Sequence, residues 1–112
     1  MVIIDDLLKE RKKRERIFKN YKDFAKLIKK LAEKYFNDVE VYVFGSVVRG
    51  DYHVMLSDID IAIITECEDK NLIYQFKAEV DKNFGDMFEL HVMNRRIWKF
   101  YKKFIDAFVE IK

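Results

Sequence analysis

The chain has 112 residues, of which half are hydrophobic, 38% are charged and one, Cys67, is a cysteine. This length predicts a single domain, and a lone cysteine excludes an internal disulfide and is typical of a reducing compartment. Acidic residues interrupt the N-terminus where a signal peptide would be apolar, and no run reaches the ~18 apolar residues of a membrane span, so we expect a soluble, cytoplasmic protein with no membrane partner.

Charge is unevenly distributed along the chain. Residues 1–34 carry 12 Lys and Arg against 6 Asp and Glu, residues 35–94 carry 4 against 12, and residues 95–112 carry 6 against 2. A plain nucleic-acid-binding protein would be basic along one face. An acidic centre between basic ends indicates a centre that holds cations, so nucleic acid is not the favoured partner.

Residues 3–36 are predicted to be helical. Apolar side chains recur with helical spacing at Tyr21, Phe24, Ile28, Leu31 and Tyr35. The preceding stretch 9–16 is charged all round and can form a solvated helix with i,i+4 ion pairs; one long helix and two shorter ones both fit the pattern.

An apolar tip precedes this stretch, and we expect it at a homodimer or partner interface. It consists of Ile3, Ile4, Leu7 and Leu8.

Two strands are predicted in the middle of the chain. "VEVYVF" (39–44) alternates and is rich in β-branched residues, and "DIDIAII" (58–64) places three isoleucines on one face. Residues 45–57 between them are predicted to be a loop with one helical turn.

The remaining elements are predicted as helix, strand and helix. Asp69 caps a helix that ends at Gly85, and 87–93 forms the third strand. Asn94 then caps a final helix with four large side chains on one face, namely Ile97, Tyr101, Phe104 and Phe108.

This order predicts an α+β fold, in which a small mixed sheet is covered by helices. We expect a single domain, made of a basic helical extension (1–20), a core (21–94) and a C-terminal helix (95–112).

Two carboxylates, Asp58 and Asp60, occupy the second predicted strand. Residues i and i+2 of a strand point the same way, so the two side chains share a face, with Cα atoms roughly 6–7 Å apart. Adjacent carboxylates repel each other unless a cation joins them. A hard divalent ion such as Mg²⁺, which binds one or two carboxylates together with substrate phosphates, is the natural partner.

A glycine and a serine follow the first predicted strand directly. Gly45 lets the backbone come close to a ligand, and exposed amides with the Ser46 hydroxyl can bind a phosphate oxygen. Arg49, which is followed by Gly50, can reach the same phosphates. A phosphate cradle beside a metal pair indicates phosphoryl or nucleotidyl transfer.

A third acidic ligand is expected on a neighbouring strand. Glu89 is the best candidate, because it is an acid in an otherwise apolar strand. It shares a face with His91, for which a solvent-facing or hydrogen-bonded role is favoured over a ligand role.

The combined motifs resemble a known family. "GSVVRG" (45–50) followed by "SDIDIAI" (57–63) is similar to the signature of the DNA polymerase β-type nucleotidyltransferase superfamily, and the small size is similar to its minimal branch. The similarity covers residues 21–93 and is specific at Gly45, Ser46, Arg49, Gly50, Ser57, Asp58 and Asp60. The loop before Asp58 departs from the family pattern, because it is one residue longer and is bulky at residues 52–56.

The resemblance implies a nucleotidyltransferase fold, ATP as substrate and two Mg²⁺ ions, which Mn²⁺ could replace. It implies metal binding and catalysis by Asp58 and Asp60, with Glu89 in the third acidic position. Nucleotide binding is implied for the remaining motif residues, with Ser46 on the triphosphate.

The resemblance also implies a partner. Small members of this family are often paired with a HEPN-type toxin, an all-helical RNase, and act as antitoxins by transferring AMP from ATP to a toxin tyrosine.

Two alternatives stay open. The chain could be an inactive module that neutralises its partner by contact alone, which an absence of AMP transfer would reveal. It could instead act on RNA through its basic N-terminal helix, which a steep salt dependence of RNA binding would reveal.

Overall fold

A four-stranded sheet with helices on both faces forms the body of the protein. The computed structural model describes residues 2–112, so Met1 of the predicted extension 1–20 lies outside the described residues. The elements are α1 (Val2–Lys19), α2 (Tyr21–Tyr35), β1 (Glu40–Phe44), α3 (Ser46–Arg49), β2 (Ile59–Ile64), α4 (Lys70–Phe84), β3 (Phe88–Met93), α5 (Arg95–Tyr101), a 3₁₀ turn (Lys102–Phe104) and β4 (Phe108–Ile111). None of the helices in this range is long and apolar enough to cross a membrane.

The sheet is mixed, as the sequence predicted. Its strand order is β3-β2-β1-β4, with β2 and β3 parallel and the other two pairs antiparallel. Parallel neighbours require a crossover connection, and α4 provides it between β2 and β3. Asp69 caps α4 by accepting hydrogen bonds from two amides, and Gly85 ends it with a φ of 82°. The three predicted strands, the predicted helix 69–85 and the helical turn after β1 are therefore confirmed.

Strand β2 is buried on both faces except at Asp60, which is partly exposed. Ile59, Ile61 and Ile63 are fully buried in the main core, which also contains side chains of α2 and α4. The opposite face of β2 carries Ala62 and Ile64, which pack with Phe44 and Trp98 in a second apolar cluster. Side chains alternate along a strand, so Asp60 lies on this second face, next to the apolar cluster.

The N-terminal segment forms two helices, which answers the question that the sequence pattern left open. Helix α1 ends at Lys19 and α2 begins at Tyr21. The side-chain amide of Asn20, between them, donates to the Arg16 carbonyl at 2.9 Å. The apolar tip of α1 is exposed, with Ile3 at 64% and Leu8 at 54%, so its large side chains are uncovered within this chain. The interface expected there stays a prediction.

The predicted C-terminal helix over 95–112 is wrong beyond Tyr101. Asn94 does cap α5, accepting from the Ile97 amide at 2.8 Å, but the chain then turns and pairs as β4 with β1. The physical reason is that β1 would otherwise present an unpaired edge, and β4 supplies its hydrogen-bond partners. The helical face expected for this segment does not form, since the helix ends at Tyr101; Phe104, a member of that face, is 73% exposed. Ile111, which lay outside the predicted face, is instead buried at 3% exposure.

Two substitutions test this correction. Ile111→Ala removes a buried side chain of β4 and should lower the free energy of unfolding by about 2–4 kcal/mol. Phe104→Ala removes an exposed ring and should change it by less than about 0.5 kcal/mol. Urea denaturation of the two variants measures both values. A loss at Phe104 as large as that at Ile111 would support the continuous helix instead.

Candidate active site

An open cleft of about 370 Å³ lies where β1 ends and α3 begins. Ser46, Arg49 and Asp60 line it together, so the expected phosphate-binding residues and one of the expected metal ligands meet in a single cleft. Tyr101, the last residue of α5, and Phe104, in the 3₁₀ turn that follows, also line the cleft. The arrangement therefore combines a polar side with an aromatic side.

Gly45 brings the backbone of this turn against the carboxylate of Asp60. Its φ of 85° and ψ of −154° lie in a region that is essentially restricted to glycine. A Cβ atom added at Gly45 would lie 2.6 Å from Asp60 Oδ2, well inside the distance that two such atoms tolerate. The pairing of Phe44 with Asp60 in the β1–β2 register explains this approach, since Gly45 directly follows Phe44. Glycine is required here for both conformation and space.

The turn after Gly45 is short and closed. The amides of Val48 and Arg49 both donate to the Gly45 carbonyl at 3.1 Å, and the Gly50 amide donates to the Ser46 carbonyl at 2.8 Å. Gly50 ends the turn in the left-handed conformation, with a φ of 87°. The first amides of a helix lack intrahelical acceptors, so the Ser46 amide has no acceptor within α3, and Ser46 lines the cleft.

Arg49 is held by a neighbouring acid. Its Nε lies 3.2 Å from both carboxylate oxygens of Asp51, and both side chains are largely exposed. An exposed pair of this kind contributes little to stability. Arg49 can therefore exchange Asp51 for a phosphate without a large energetic cost.

Asp60 is fixed by a histidine on the next strand. His91 Nε2 lies 3.1 Å from Asp60 Oδ1, and both side chains are about one-quarter exposed. The ring of His91 also packs 5.1 Å from that of Phe44. One oxygen of Asp60 thus faces His91 and the other faces Gly45, which fixes the carboxylate in one orientation.

Glu89 joins these two residues through the parallel pairing of β2 and β3. Asp60 pairs with Glu89, and Ala62 pairs with His91, so the three polar side chains lie on one face. One ligand atom from each of Asp60, Glu89 and His91 lies within 4.8 Å of the others. Carboxylate oxygens suit Mg²⁺, and a set that adds an imidazole also suits Mn²⁺. The donor set therefore fits a divalent cation.

Asp58 is placed beside this group rather than in it. It is exposed, precedes β2 and lines a neighbouring cavity of about 300 Å³ that Glu89 also lines. Glu89 thus shares a cavity with Asp58 and a cluster of ligand atoms with Asp60. The predicted acids lie around one edge of the sheet, but the three ligand atoms that converge come from Asp60, Glu89 and His91.

The two other motif residues, Gly50 and Ser57, shape the backbone of the turn and of the loop. Gly50 ends α3, and the Ser57 hydroxyl accepts a hydrogen bond from the His53 amide at 2.8 Å. In the part of the chain that the structure describes, neither residue lines the two cavities above.

Sequence reasoning missed the aromatic side of the cleft. It assigned Tyr101 and Phe104 to a helix face and gave no signal that they line the cleft, because the turn after Tyr101 was not foreseen. For His91 it favoured a hydrogen-bonded or solvent-facing role, which agrees with the hydrogen bond to Asp60, and His91 also lies within reach of both acids.

The chain is similar to nucleotidyltransferases. A family model described as "Nucleotidyltransferase domain" matches residues 24–110. Of the solved structures, a "putative nucleotidyltransferase" is 39% identical with a TM-score of 0.64, and the match covers 78% of this chain and 96% of that one. A second protein of the same description, from Sulfolobus solfataricus, is 22% identical with a TM-score of 0.53 over 90% and 84% of the two chains, and shows a similar fold. No curated protein matches the chain.

The contact between Gly45 and Asp60 can be tested by a double-mutant cycle. Gly45→Ala should lower the free energy of unfolding by about 2–4 kcal/mol, because it strains the backbone and forces Asp60 to move. The matched control is Gly50→Ala, whose φ is also positive but whose added Cβ would meet no atom within 4 Å. It should cost only about 1 kcal/mol.

The Asp60→Ala background isolates the steric contribution. Removal of the carboxylate should reduce the cost of Gly45→Ala, whereas the cost of Gly50→Ala should stay constant. Chemical denaturation of the variants measures these differences. Equal costs of Gly45→Ala with and without the Asp60 carboxylate would contradict the close contact.

Proposed function

The chain belongs to the nucleotidyltransferase domain family, and we propose that it transfers AMP from ATP to a hydroxyl group, with a tyrosine of a HEPN-type helical toxin as the acceptor. Family and fold support nucleotidyl transfer in general. The observation that carries the proposal is the approach of the Gly45–Ser46 turn to Asp60, because it joins a phosphate-binding turn to a cation-binding group in one cleft.

The phosphates of ATP are assigned to the polar side of the cleft. The Ser46 hydroxyl and amide donate to the triphosphate, and Arg49 leaves Asp51 to neutralise part of its charge. Gly45 has no side chain, so the leaving pyrophosphate can lie close to the backbone. This assignment uses only residues that already line the cleft.

Divalent cations are assigned to the acidic edge beside it. Asp60 and Glu89 would hold Mg²⁺ or Mn²⁺, and Asp58 would complete the set for a second ion from the neighbouring cavity. When bound, such ions neutralise phosphate charge and favour ionisation of the attacking hydroxyl. His91 holds Asp60 by its hydrogen bond, so that the ligand oxygen is pre-oriented.

The transfer itself is a displacement at the α-phosphorus. The acceptor oxygen forms a bond to that phosphorus as the bond to the oxygen that bridges the α- and β-phosphates breaks, and pyrophosphate leaves. The proton of the acceptor hydroxyl passes to Glu89, which is exposed and lines the cavity on the side of Asp58. The products are an adenylylated acceptor and pyrophosphate.

A protein acceptor is supported by the apolar tip of α1. Ile3, Ile4, Leu7 and Leu8 are each more than half exposed, which is unfavourable unless a partner covers them. The tip offers a surface for a helical partner or for a second copy of the chain.

Cation and nucleotide binding can be tested by thermal stability. Mg²⁺ or Mn²⁺ together with ATP should raise the melting temperature by several degrees at saturating concentrations. Asp60→Asn should remove most of this gain, since a metal ligand and the partner of His91 change together. The matched control is Glu33→Gln, an exposed acid of α2, which should keep the full gain. A full gain in Asp60→Asn would contradict the metal assignment.

The reaction can be tested by the position of a radioactive label in ATP. α-labelled ATP with Mg²⁺ should label a cognate helical toxin, whereas γ-labelled ATP should not, because only attack at the α-phosphorus leaves AMP on the acceptor. Ser46→Ala should reduce labelling roughly 10- to 100-fold, the effect of losing one hydrogen bond to a charged group. Asp58→Ala should abolish it.

The other outcomes identify the alternatives. Label from the γ-position would indicate a kinase. An unlabelled toxin that nevertheless binds tightly would indicate neutralisation by contact. Label that appears on added RNA would indicate an RNA nucleotidyltransferase.

A further inference from the structure

Helix α1 lies outside residues 24–110, which the family model matches, yet it holds the loop that precedes Asp58. The guanidinium of Arg14 donates to the Val54 carbonyl at 2.5 Å and to the Ser57 carbonyl at 2.6 Å. One turn further along the helix, the ring of Phe18 stacks on that of Tyr52 at 4.4 Å and an interplanar angle of 4°. The helix is therefore attached to the loop at two successive positions.

The loop forms a compact turn that Arg14 closes from outside. The amides of Leu56 and Ser57 donate to the His53 carbonyl at 3.1 and 2.8 Å, and the His53 amide donates to the Ser57 hydroxyl at 2.8 Å. Arg14 presents donors in a planar fork, so that one side chain can bind the carbonyls of Val54 and Ser57 together. A lysine, with a single ammonium group, would not reproduce this geometry.

The guanidinium of Arg14 bonds to these two carbonyls rather than to an acidic side chain. Within residues 3–112, no carboxylate lies within ion-pair distance of its guanidinium, whereas Arg11, one turn earlier on the same helix, pairs with Glu15 at 2.9 Å. Arg14 is half-buried and Arg11 is exposed. The two arginines therefore differ in role although they share a helix.

The hydrogen bond from Arg14 to Ser57 lies directly next to Asp58 in the chain. The Ser57 carbonyl belongs to the peptide group that joins Ser57 to Asp58, and on the other side the Ile59 amide donates to the Met87 carbonyl at 2.8 Å. Asp58 is thus held between two fixed points. Asp60, by contrast, is fixed by strand pairing and by His91. Of the two carboxylates, Asp58 is the one whose placement depends on the loop.

We propose that Arg14 is a positioning residue, which orients Asp58 toward the divalent cation by fixing the Ser57–Asp58 peptide from helix α1. The role rests on the proposed function, because Arg14 acts through a predicted metal ligand. The helix outside the family domain is then part of the active machinery, and the long, bulky loop is the surface to which it binds.

Two measurements on the intact protein test this role. The first is amide hydrogen exchange of residues 50–58, which should be roughly 10- to 100-fold faster in Arg14→Met, since hydrogen bonds from a charged group are lost. Exchange of β2 should stay unchanged. The second is the affinity for Mn²⁺ alone, which should fall roughly 10-fold in Arg14→Met, toward that of Asp58→Asn.

Two further variants keep the test sharp. Arg14→Lys retains the positive charge but not the planar fork of donors. It should give an exchange rate and a Mn²⁺ affinity between those of the wild type and of Arg14→Met. This variant also provides the test if Arg14→Met folds poorly. Arg11→Met, the matched control on the same helix, should behave as the wild type in both measurements.

The outcomes separate the two proposals. Unchanged exchange in Arg14→Met would overturn the positioning role, and so would faster exchange with wild-type affinity for Mn²⁺, because the helix would then be a structural support only. Failure of the wild type to bind Mn²⁺ would overturn the metal assignment, and with it the role given to Asp58. Loss of affinity in Asp58→Asn but not in Arg14→Met would leave the proposed function standing and overturn the role of Arg14 alone.

Discussion

The contact between the backbone of Gly45 and the carboxylate of Asp60 is the constraint on which the site depends. An added Cβ atom would lie 2.6 Å from Asp60 Oδ2, so the turn after β1 can approach β2 this closely only with glycine. The same contact brings Ser46 and Arg49 into the cleft that Asp60 lines. A residue with a Cβ atom at position 45 would push the turn away from Asp60 and separate Ser46 and Arg49 from the acidic group.

The sheet allows this charged group to exist because its second face is only partly covered. Near Ala62 and Ile64 that face packs against Trp98 of α5, which is 3% exposed. At Asp60 the cover ends, and water or a ligand can reach the carboxylate. A carboxylate buried among apolar residues would be costly, whereas at this edge it meets His91 and an open cleft. The boundary between apolar cluster and cleft thus determines where the chemistry can occur.

Helix α1 supplies packing and hydrogen-bond partners to the loop that precedes Asp58. Tyr52 stacks on Phe18, and the carbonyls of Val54 and Ser57 accept from Arg14. The Tyr52 ring and these two carbonyls are the part of the loop that contacts the helix, whereas Leu56 is 80% exposed. The position of the loop therefore depends on helix α1.

Local patterns along the chain were sufficient to predict most of the secondary structure and to single out the candidate acids. Alternation predicted β1 to β3, Asp69 and Gly85 predicted the ends of α4, and the spacing of Asp58 and Asp60 predicted an acidic edge. The strand at 108–111, by contrast, could be recognised only in the folded chain, because it forms by pairing with the free edge of β1, which no local pattern contains. The contact of His91 with Asp60 could likewise be recognised only there, because the register of two parallel strands is set by packing across the whole sheet.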